Sequence, residues 1–322
     1  MGRDAPPEGT FRAAEWADGG FRVCSFPLAP PGPGEAQVRV QACSVCLTEV
    51  HFTDGYYDEL DAPARLGHEY CGVVTATGPG VTGLARGDLV AGFDAFGGFG
   101  EMVTADAALF VPLPSGLTAD RGCLLEPVSC CVYAVRRGAV PEGGTVLVTG
   151  AGSNGLLILQ LARKAGAGRV IVSEPDARRR GLALALGADH AVDPAGGPLA
   201  GSLGAEVISV AFESSGSPAA LSDCLDVVAD DGRVVMFGVH RDTAVLPLPL
   251  YGFHFRNLSL IGSFGADRQA ADEAAGLLGE LDTGALISHR FGLDGIGAAF
   301  DAARSGTGLK VIVYPGQPPE PG

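Results

Sequence analysis

The sequence predicts an α/β protein in two parts, a mostly-β region followed by a doubly wound parallel sheet. Three observations point there. The chain has 322 residues, more than one hydrophobic core comfortably serves. Its first third carries short apolar alternations cut by Gly and Pro, the pattern of strands joined by turns. Beyond Pro141-Glu142-Gly143-Gly144, wholly apolar runs alternate with helical stretches, as in a parallel sheet covered on both faces.

The elements follow in order. The opening segment as far as Gly32 is rich in Pro, Gly and Ala and suggests no element. Ala36–Ala42 alternates as a half-buried strand and feeds a turn at Cys46; Cys71–Gly78 is a second strand, ended by Pro79-Gly80. Arg86–Val90 and Glu101–Val103 mark further short strands. Thr145–Thr149 is a buried strand, and Leu156–Ala162 starts a helix that stops at Gly166 and Gly168. Strand Val170–Val172, a helix over 176–187, strand Val207–Ala211, helix Ala219–Ala229 and strand Val234–Phe237 continue the alternation. Strand Leu258–Ile261 and a helix over 269–281 complete it, and the tail adds a helix over 295–303 and a strand Leu309–Tyr314.

Composition narrows the function classes. The apolar share of 47% argues for a folded chain, and 49 glycines without a three-residue period indicate many tight turns. A formal charge of -15 excludes nucleic acid and anionic membrane as natural partners, since there is no basic surplus to release counterions. With no charged leader before an apolar core, and no apolar run long enough to span a bilayer, cytoplasmic residence is expected. The eight cysteines, irregularly spaced and mostly in apolar surroundings, read as buried thiols, with Cys46 the exception.

A glycine loop, Gly150-Ala151-Gly152-Ser153-Asn154-Gly155, lies between the strand at 145–149 and the helix that follows. Gly150 permits the tight turn, Gly152 lets the backbone approach a pyrophosphate, and Gly155 allows helix and strand to pack closely; Ser153 and Asn154 open the helix where phosphate oxygens meet free amides. The next strand ends at Glu174, about 20 residues beyond Gly155, where a carboxylate accepts hydrogen bonds from adenosine ribose hydroxyls. That favours NAD over NADP, because a 2'-phosphate would face like charge. Arg179, between Arg178 and Arg180, reads either as a phosphate contact or as part of a solvated helix face.

Cys46, His68, Glu69 and Glu126 form a candidate metal set. Taken singly each has a structural reading; together a thiolate, an imidazole and a carboxylate suit a catalytic zinc with one open position. Glu126 lies in Leu124-Leu125-Glu126-Pro127-Val128, where a carboxylate among apolar neighbours needs a partner. Such a metal polarises an alcohol oxygen while hydride leaves for a nicotinamide ring. Thr48 then serves as hydrogen-bond partner of that oxygen and His51 as the onward proton carrier, with a local turn bond and a surface histidine as the structural alternatives.

These pieces resemble the medium-chain dehydrogenase family of zinc alcohol and polyol dehydrogenases over nearly the whole chain. The resemblance rests on Cys46-Leu47-Thr48-Glu49-Val50-His51, Gly67-His68-Glu69-Tyr70-Cys71-Gly72, Gly98-Phe99-Gly100-Glu101, Glu126-Pro127, the glycine loop, Gly232–Gly238 and Gly308-Leu309-Lys310-Val311. Glu126-Pro127 and Ser173-Glu174-Pro175 are more similar to the sorbitol, butanediol, threonine and cyclitol enzymes than to the short-alcohol ones. It implies a GroES-like mostly-β catalytic domain over 1–139 and 285–322, with a Rossmann NAD-binding domain over 140–284 between the two parts. It also implies Cys46 and His68 as zinc ligands, Glu69 and Glu126 sharing the remaining role, and Thr48 and His51 as proton relay.

Two departures qualify it. After Val90 no cysteine occurs in Ala91–Phe99, where relatives often carry four that bind a structural zinc, so one catalytic zinc per chain is expected. Leu47 stands where short-alcohol enzymes place a cation, which leaves phosphate binding to the helix amides. Tyr56, Tyr57, Phe93, Phe96 and Phe99 read equally as pocket lining or loop anchors. The expected partner is a small alcohol or ketone, with a polyol, cyclitol or sugar-like alcohol ahead of a simple one, in a homodimer or homotetramer. The competing readings are a reductase using NADPH and a non-catalytic nucleotide-binding protein.

Overall fold

The computed structural model describes residues 9–56 and 62–316. They fall into two compact units, Met1–Pro127 with Ala271–Gly322, and Val128–Ala270.

The first unit is built on a seven-stranded sheet. Its order runs Ile287–Gly292, Lys310–Tyr314, Glu35–Ser44, Glu69–Thr77, Leu89–Gly92, Phe110–Pro112, with Met102–Asp106 also pairing Glu35–Ser44. Buried Val38, Val40, Tyr70, Phe99, Phe110 and Phe300 fill its core. The last strand joins beside the central one, Ile312 opposite Ser44, while Ser44 stands opposite Glu69. This register carries Lys310, Glu69 and the turn after Ser44 to one end of the sheet. Gly67 is required there: its φ is +99°, and a Cβ would lie 2.5 Å from the Phe99 nitrogen.

A hairpin of Thr10–Ala17 and Gly20–Pro27 precedes the sheet, in a segment for which the sequence suggested no element. Its signal was present, because Asp18-Gly19 takes positive φ at both positions, 50° and 75°, as a two-residue hairpin turn demands. The helix Leu125–Gly138 was also unexpected; Pro127 lies in its first turn, where a missing N–H breaks no helical bond. Of the aromatic residues in question, Phe99 is a core anchor packed edge-on against Phe300, whereas Phe96 is exposed with its ring centroid 5.6 Å from that of His68. Tyr56 stacks on His51, and Tyr57 lies outside the described residues.

The second unit holds a six-stranded sheet, all parallel, in the order His190–Val192, Arg169–Ser173, Thr145–Thr149, Ile208–Glu213, Val228–Met236, Ser259–Gly262. The chain starts in the middle, works outward, then returns to the other side. The switch between Thr145–Thr149 and Ile208–Glu213 opens the crevice in which such sheets take ligands. Val146, Leu147, Val148, Ile171, Ala211 and Phe212 are fully buried, as the uninterrupted apolar runs foretold. Among the described residues no helix is long and apolar enough to cross a membrane.

Candidate functional site

At the end of the first unit's sheet, Cys46, His68 and Glu69 each offer a ligand atom, and these atoms lie within 4.8 Å of one another. Among the described residues this is the one group of three or more such side chains. Cys46 precedes the short helix Leu47–Thr53, and Glu69 opens the strand Glu69–Thr77, so sheet and helix aim the side chains at one point. Glu126 Oε2 lies 4.0 Å from His68 Nε2, in the first turn of Leu125–Gly138. The donor set fits a zinc ion: soft thiolate, imidazole and carboxylate, with the imidazole already held by its other nitrogen.

That holding group is Glu49, to which the sequence reading assigned no role. Its side chain is fully buried. Oε1 accepts from His68 Nδ1 at 2.9 Å, His68 N at 3.0 Å and Gly67 N at 2.7 Å, while Oε2 accepts from Cys46 N at 3.1 Å. With Nδ1 so engaged, Nε2 is left for the ligand group, the outer-shell arrangement that orients metal-binding histidines. Burial pulls the His68 imidazolium down, but the Glu49 charge and hydrogen bonds to Cys46 and Glu49 outweigh it and raise the ring well above its ordinary range. The legible signal was positional, since an acid three residues after a helix-starting residue closes a capping box.

Lys310 is the second residue not anticipated. Its ammonium reaches both oxygens of Glu69, at 2.6 and 2.7 Å, and both side chains are buried. Burial pushes the Glu69 carboxyl up, yet Lys310, helped by His68 and Ser44, draws it below its ordinary value. For Lys310 burial works downward and Glu69 reverses it, so the ammonium stays charged past the normal lysine range. The clue was a single cation inside an otherwise apolar terminal strand, Lys310-Val311-Ile312-Val313-Tyr314.

Thr48 is half-buried beside Cys46, and His51 lies three residues on, which puts both on one face of Leu47–Thr53. Leu47 is 58% exposed. Thiol chemistry gives a direct test of this end of the sheet. Cys43, Cys71, Cys123, Cys131 and Cys224 are buried, while Cys24, Cys46 and Cys130 are partly exposed. Desolvation pushes the Cys71 and Cys224 thiols up to about 12. Native protein treated with chelator should therefore titrate three thiols with a disulfide reagent, and zinc-loaded protein one fewer, Cys46 being the one protected. Equal counts with and without zinc would remove Cys46 from the metal.

In the second unit the glycine loop has the form expected. Gly150 takes φ +89°, a Cβ on Gly155 would lie 1.9 Å from the Gly150 oxygen, and a Cβ on Gly152 would meet nothing within 4 Å. The helix Ser153–Lys164 starts with no side-chain cap, which leaves the amides of its first turn to an anion. Glu174 is buried, its Oε2 accepting from Ala151 N at 2.6 Å and its Oε1 from Asp176 N at 2.9 Å. It braces the loop, and each oxygen retains a second lone pair that a ribose hydroxyl can use. Asp176 caps the next helix through the amides of Arg178 and Arg179, and Arg180 donates to the carbonyls of Glu174 and Pro175.

Comparison with known proteins agrees with both halves. Residues 32–115 match the alcohol dehydrogenase GroES-like domain and residues 155–280 the zinc-binding dehydrogenase domain. The 2-dehydro-3-deoxy-L-galactonate 5-dehydrogenase of Pseudoalteromonas atlantica is 30% identical over 342 aligned positions, covering 94% of this chain and 98% of its own. The L-threonine 3-dehydrogenase of Pyrococcus horikoshii is 29% identical, covering 91% and 94%. A zinc-binding dehydrogenase of Sinorhizobium meliloti, solved with NADP bound, superposes with a TM-score of 0.90 at 28% identity, covering 96% of this chain and all of that one.

Proposed function

Since the chain belongs to the zinc-binding medium-chain dehydrogenase family, an NAD(P)-dependent oxidoreductase class, we propose that it oxidises, reversibly, a secondary alcohol of the polyol, cyclitol or sugar-like kind with NAD. The observation that carries this is the convergence of Cys46, His68 and Glu69 within 4.8 Å.

In this reading Cys46 and His68 hold one zinc ion, with Glu69 or Glu126 completing the set. When bound, zinc supplies a Lewis acid that favours ionisation of the substrate hydroxyl, and the nicotinamide supplies the hydride acceptor. Glu49 keeps the His68 ring in one tautomer and orientation. Thr48 takes the hydroxyl proton into a hydrogen bond, and His51 passes it outward. The alcohol loses a hydride and a proton and leaves as the ketone. Glu174 supports NAD, because a 2'-phosphate would meet its carboxylate; the NADP bound to the Sinorhizobium meliloti relative, with the arginines at 178–180, supports an NADPH-linked ketone reductase as the second reading. The sugar-acid and amino-acid substrates in the names of the two relatives support a substrate with polar groups around the reacting carbon.

With this reading goes a homo-oligomer, a homodimer or a homotetramer. Ser259–Gly262 is an edge strand, and the same unit exposes Leu250, Tyr251, Phe255 and Phe264, which suits pairing of that edge with a second copy. Cytoplasmic residence belongs with it, all eight cysteines being free thiols.

The test is zinc content per chain, on protein purified without added metal or chelator, alongside turnover of secondary alcohols with NAD and NADP. Cys46→Ala should remove most of the zinc and nearly all turnover while NADH binding persists. Turnover retained in that variant sinks the zinc mechanism.

A further inference from the structure

The first unit holds a cavity of about 240 Å³ that the metal set does not use. The hairpin of Thr10–Ala17 and Gly20–Pro27 brings Phe11 to its wall, and the run after the hairpin brings Leu28. Glu35 and Met102 come from two paired strands, Glu35–Ser44 and Met102–Asp106. Arg39 stands opposite Met102, and the two-residue period puts Glu35 on the same face. Arg65, just before His68, and Phe96 complete the lining. Leu28 and Phe96 are 37% and 53% exposed, so apolar surface is left to water where the cavity lies.

Two opposite charges line this space, each held by a different neighbour. The Arg65 guanidinium lies over the Phe26 ring, 5.2 Å from its centroid, and Phe26 packs against Phe11 with 5.9 Å between ring centroids. Among the described residues Arg65 makes no ion pair and its guanidinium donates no hydrogen bond, so its fork of N–H groups is open. Glu35 Oε2 accepts from Gly32 N at 2.8 Å, while its Oε1 accepts no hydrogen bond among the described residues. Arg65 and Glu35 therefore line one cavity without pairing with each other.

An open guanidinium fork suits a carboxylate or a phosphate, and a carboxylate with an unused oxygen suits an ammonium. A phosphate would bring up to two negative charges against Glu35 in the same small space. The volume falls below the ~300 Å³ at which drug-sized sites begin, which leaves room for a small metabolite. A zwitterion with an apolar body meets all of these conditions: it satisfies both charges and lays its body against Phe11, Leu28, Met102 and Phe96. We propose that this cavity binds a free amino acid with an apolar side chain, its carboxylate on Arg65 and its ammonium on Glu35. None of these side chains belongs to the metal set or the glycine loop, so the cavity takes its ligand whatever alcohol the protein oxidises.

Calorimetric titration with three probes separates the two contacts: L-leucine, 4-methylpentanoate, which lacks the ammonium, and 3-methylbutylamine, which lacks the carboxylate. L-Leucine should bind the parent protein at millimolar concentration or below, and more tightly than either analogue. Arg65→Met should weaken L-leucine roughly tenfold, the loss of a charge-assisted hydrogen bond, and leave 3-methylbutylamine within about twofold. Glu35→Gln keeps an oxygen for Gly32 N; it should weaken L-leucine roughly tenfold and leave 4-methylpentanoate within about twofold. An amino acid also chelates zinc, so the L-leucine titration is repeated on chelator-treated protein, where the affinity should be the same. Absence of L-leucine binding at millimolar concentration overturns the assignment. So does an affinity lost with the chelator, or one that both Arg65→Met and Glu35→Gln leave unchanged.

Discussion

Lys310→Met is expected to lower the unfolding free energy of the metal-free protein by about 3–5 kcal/mol, the usual penalty for removing one partner of a buried ion pair. Glu69 would keep its charge in an interior where both of its oxygens now face the ammonium at 2.6 and 2.7 Å. Methionine fills the volume of the lysine stem, so the loss reports on charge and not on a cavity. The pH dependence follows from the two shifts. Glu69 titrates below its ordinary value in the folded protein, so its contribution is present above pH 4.5 and is lost as pH falls through the folded value. Lys310 titrates above its ordinary value, so its contribution is present below pH 10.5 and is lost only as pH rises through the folded value. The gap between the parent protein and the variant should therefore be widest near neutrality. It should close on acidification, when Glu69 in the variant can take up a proton. Urea denaturation at pH 5 and pH 8 in the presence of chelator measures this, and a loss below about 1 kcal/mol at pH 8 would show that Glu69 has another cation or donor. Added zinc should return part of the loss, if Glu69 turns toward the metal.

Glu49→Gln is expected to weaken zinc binding by about 10- to 100-fold, the typical effect of losing the partner that orients a ligand histidine. The carboxylate serves four donors, from Cys46 N, Gly67 N, His68 N and His68 Nδ1. Glutamine keeps one oxygen and sets an NH2 against the remaining N–H groups. Stability should fall by about 2–4 kcal/mol as buried donors lose a charged acceptor. Competition with a chromogenic chelator gives the zinc affinity, and thermal melting gives the stability. Zinc affinity within twofold of the parent would show that the His68 ring is held by its own packing. Thr48→Ala provides the contrast: under the proposed proton relay its hydroxyl serves proton transfer, so zinc content should be preserved while turnover drops.

Much of this fold is legible in the sequence. The parallel strands at 145–149 and 169–173, the helix after the glycine loop and the parallel character of the sheet follow from apolar runs bounded by glycine, because strands buried on both faces have no polar side to show. Cys46, His68 and Glu69 stood out because thiolate, imidazole and carboxylate are rare neighbours without a purpose. The hairpin at 10–27 and the helix at 125–138 were less visible. In each, a turn or a proline outweighed the apolar pattern, and only the paired strand or the following helix resolved its sense.

The two-part α/β class, the dinucleotide-type loop and the candidate ligands Cys46, His68 and Glu69 are legible in local spacing and side-chain chemistry. Tertiary structure alone decided which groups stand behind those residues. Glu49 reaches His68 across 19 positions, and Lys310 reaches Glu69 across 241. A charge separated from its partner by that length of chain looks like any surface residue. It takes on meaning only when sheet register and burial remove water and leave one oppositely charged or hydrogen-bonding neighbour to satisfy it.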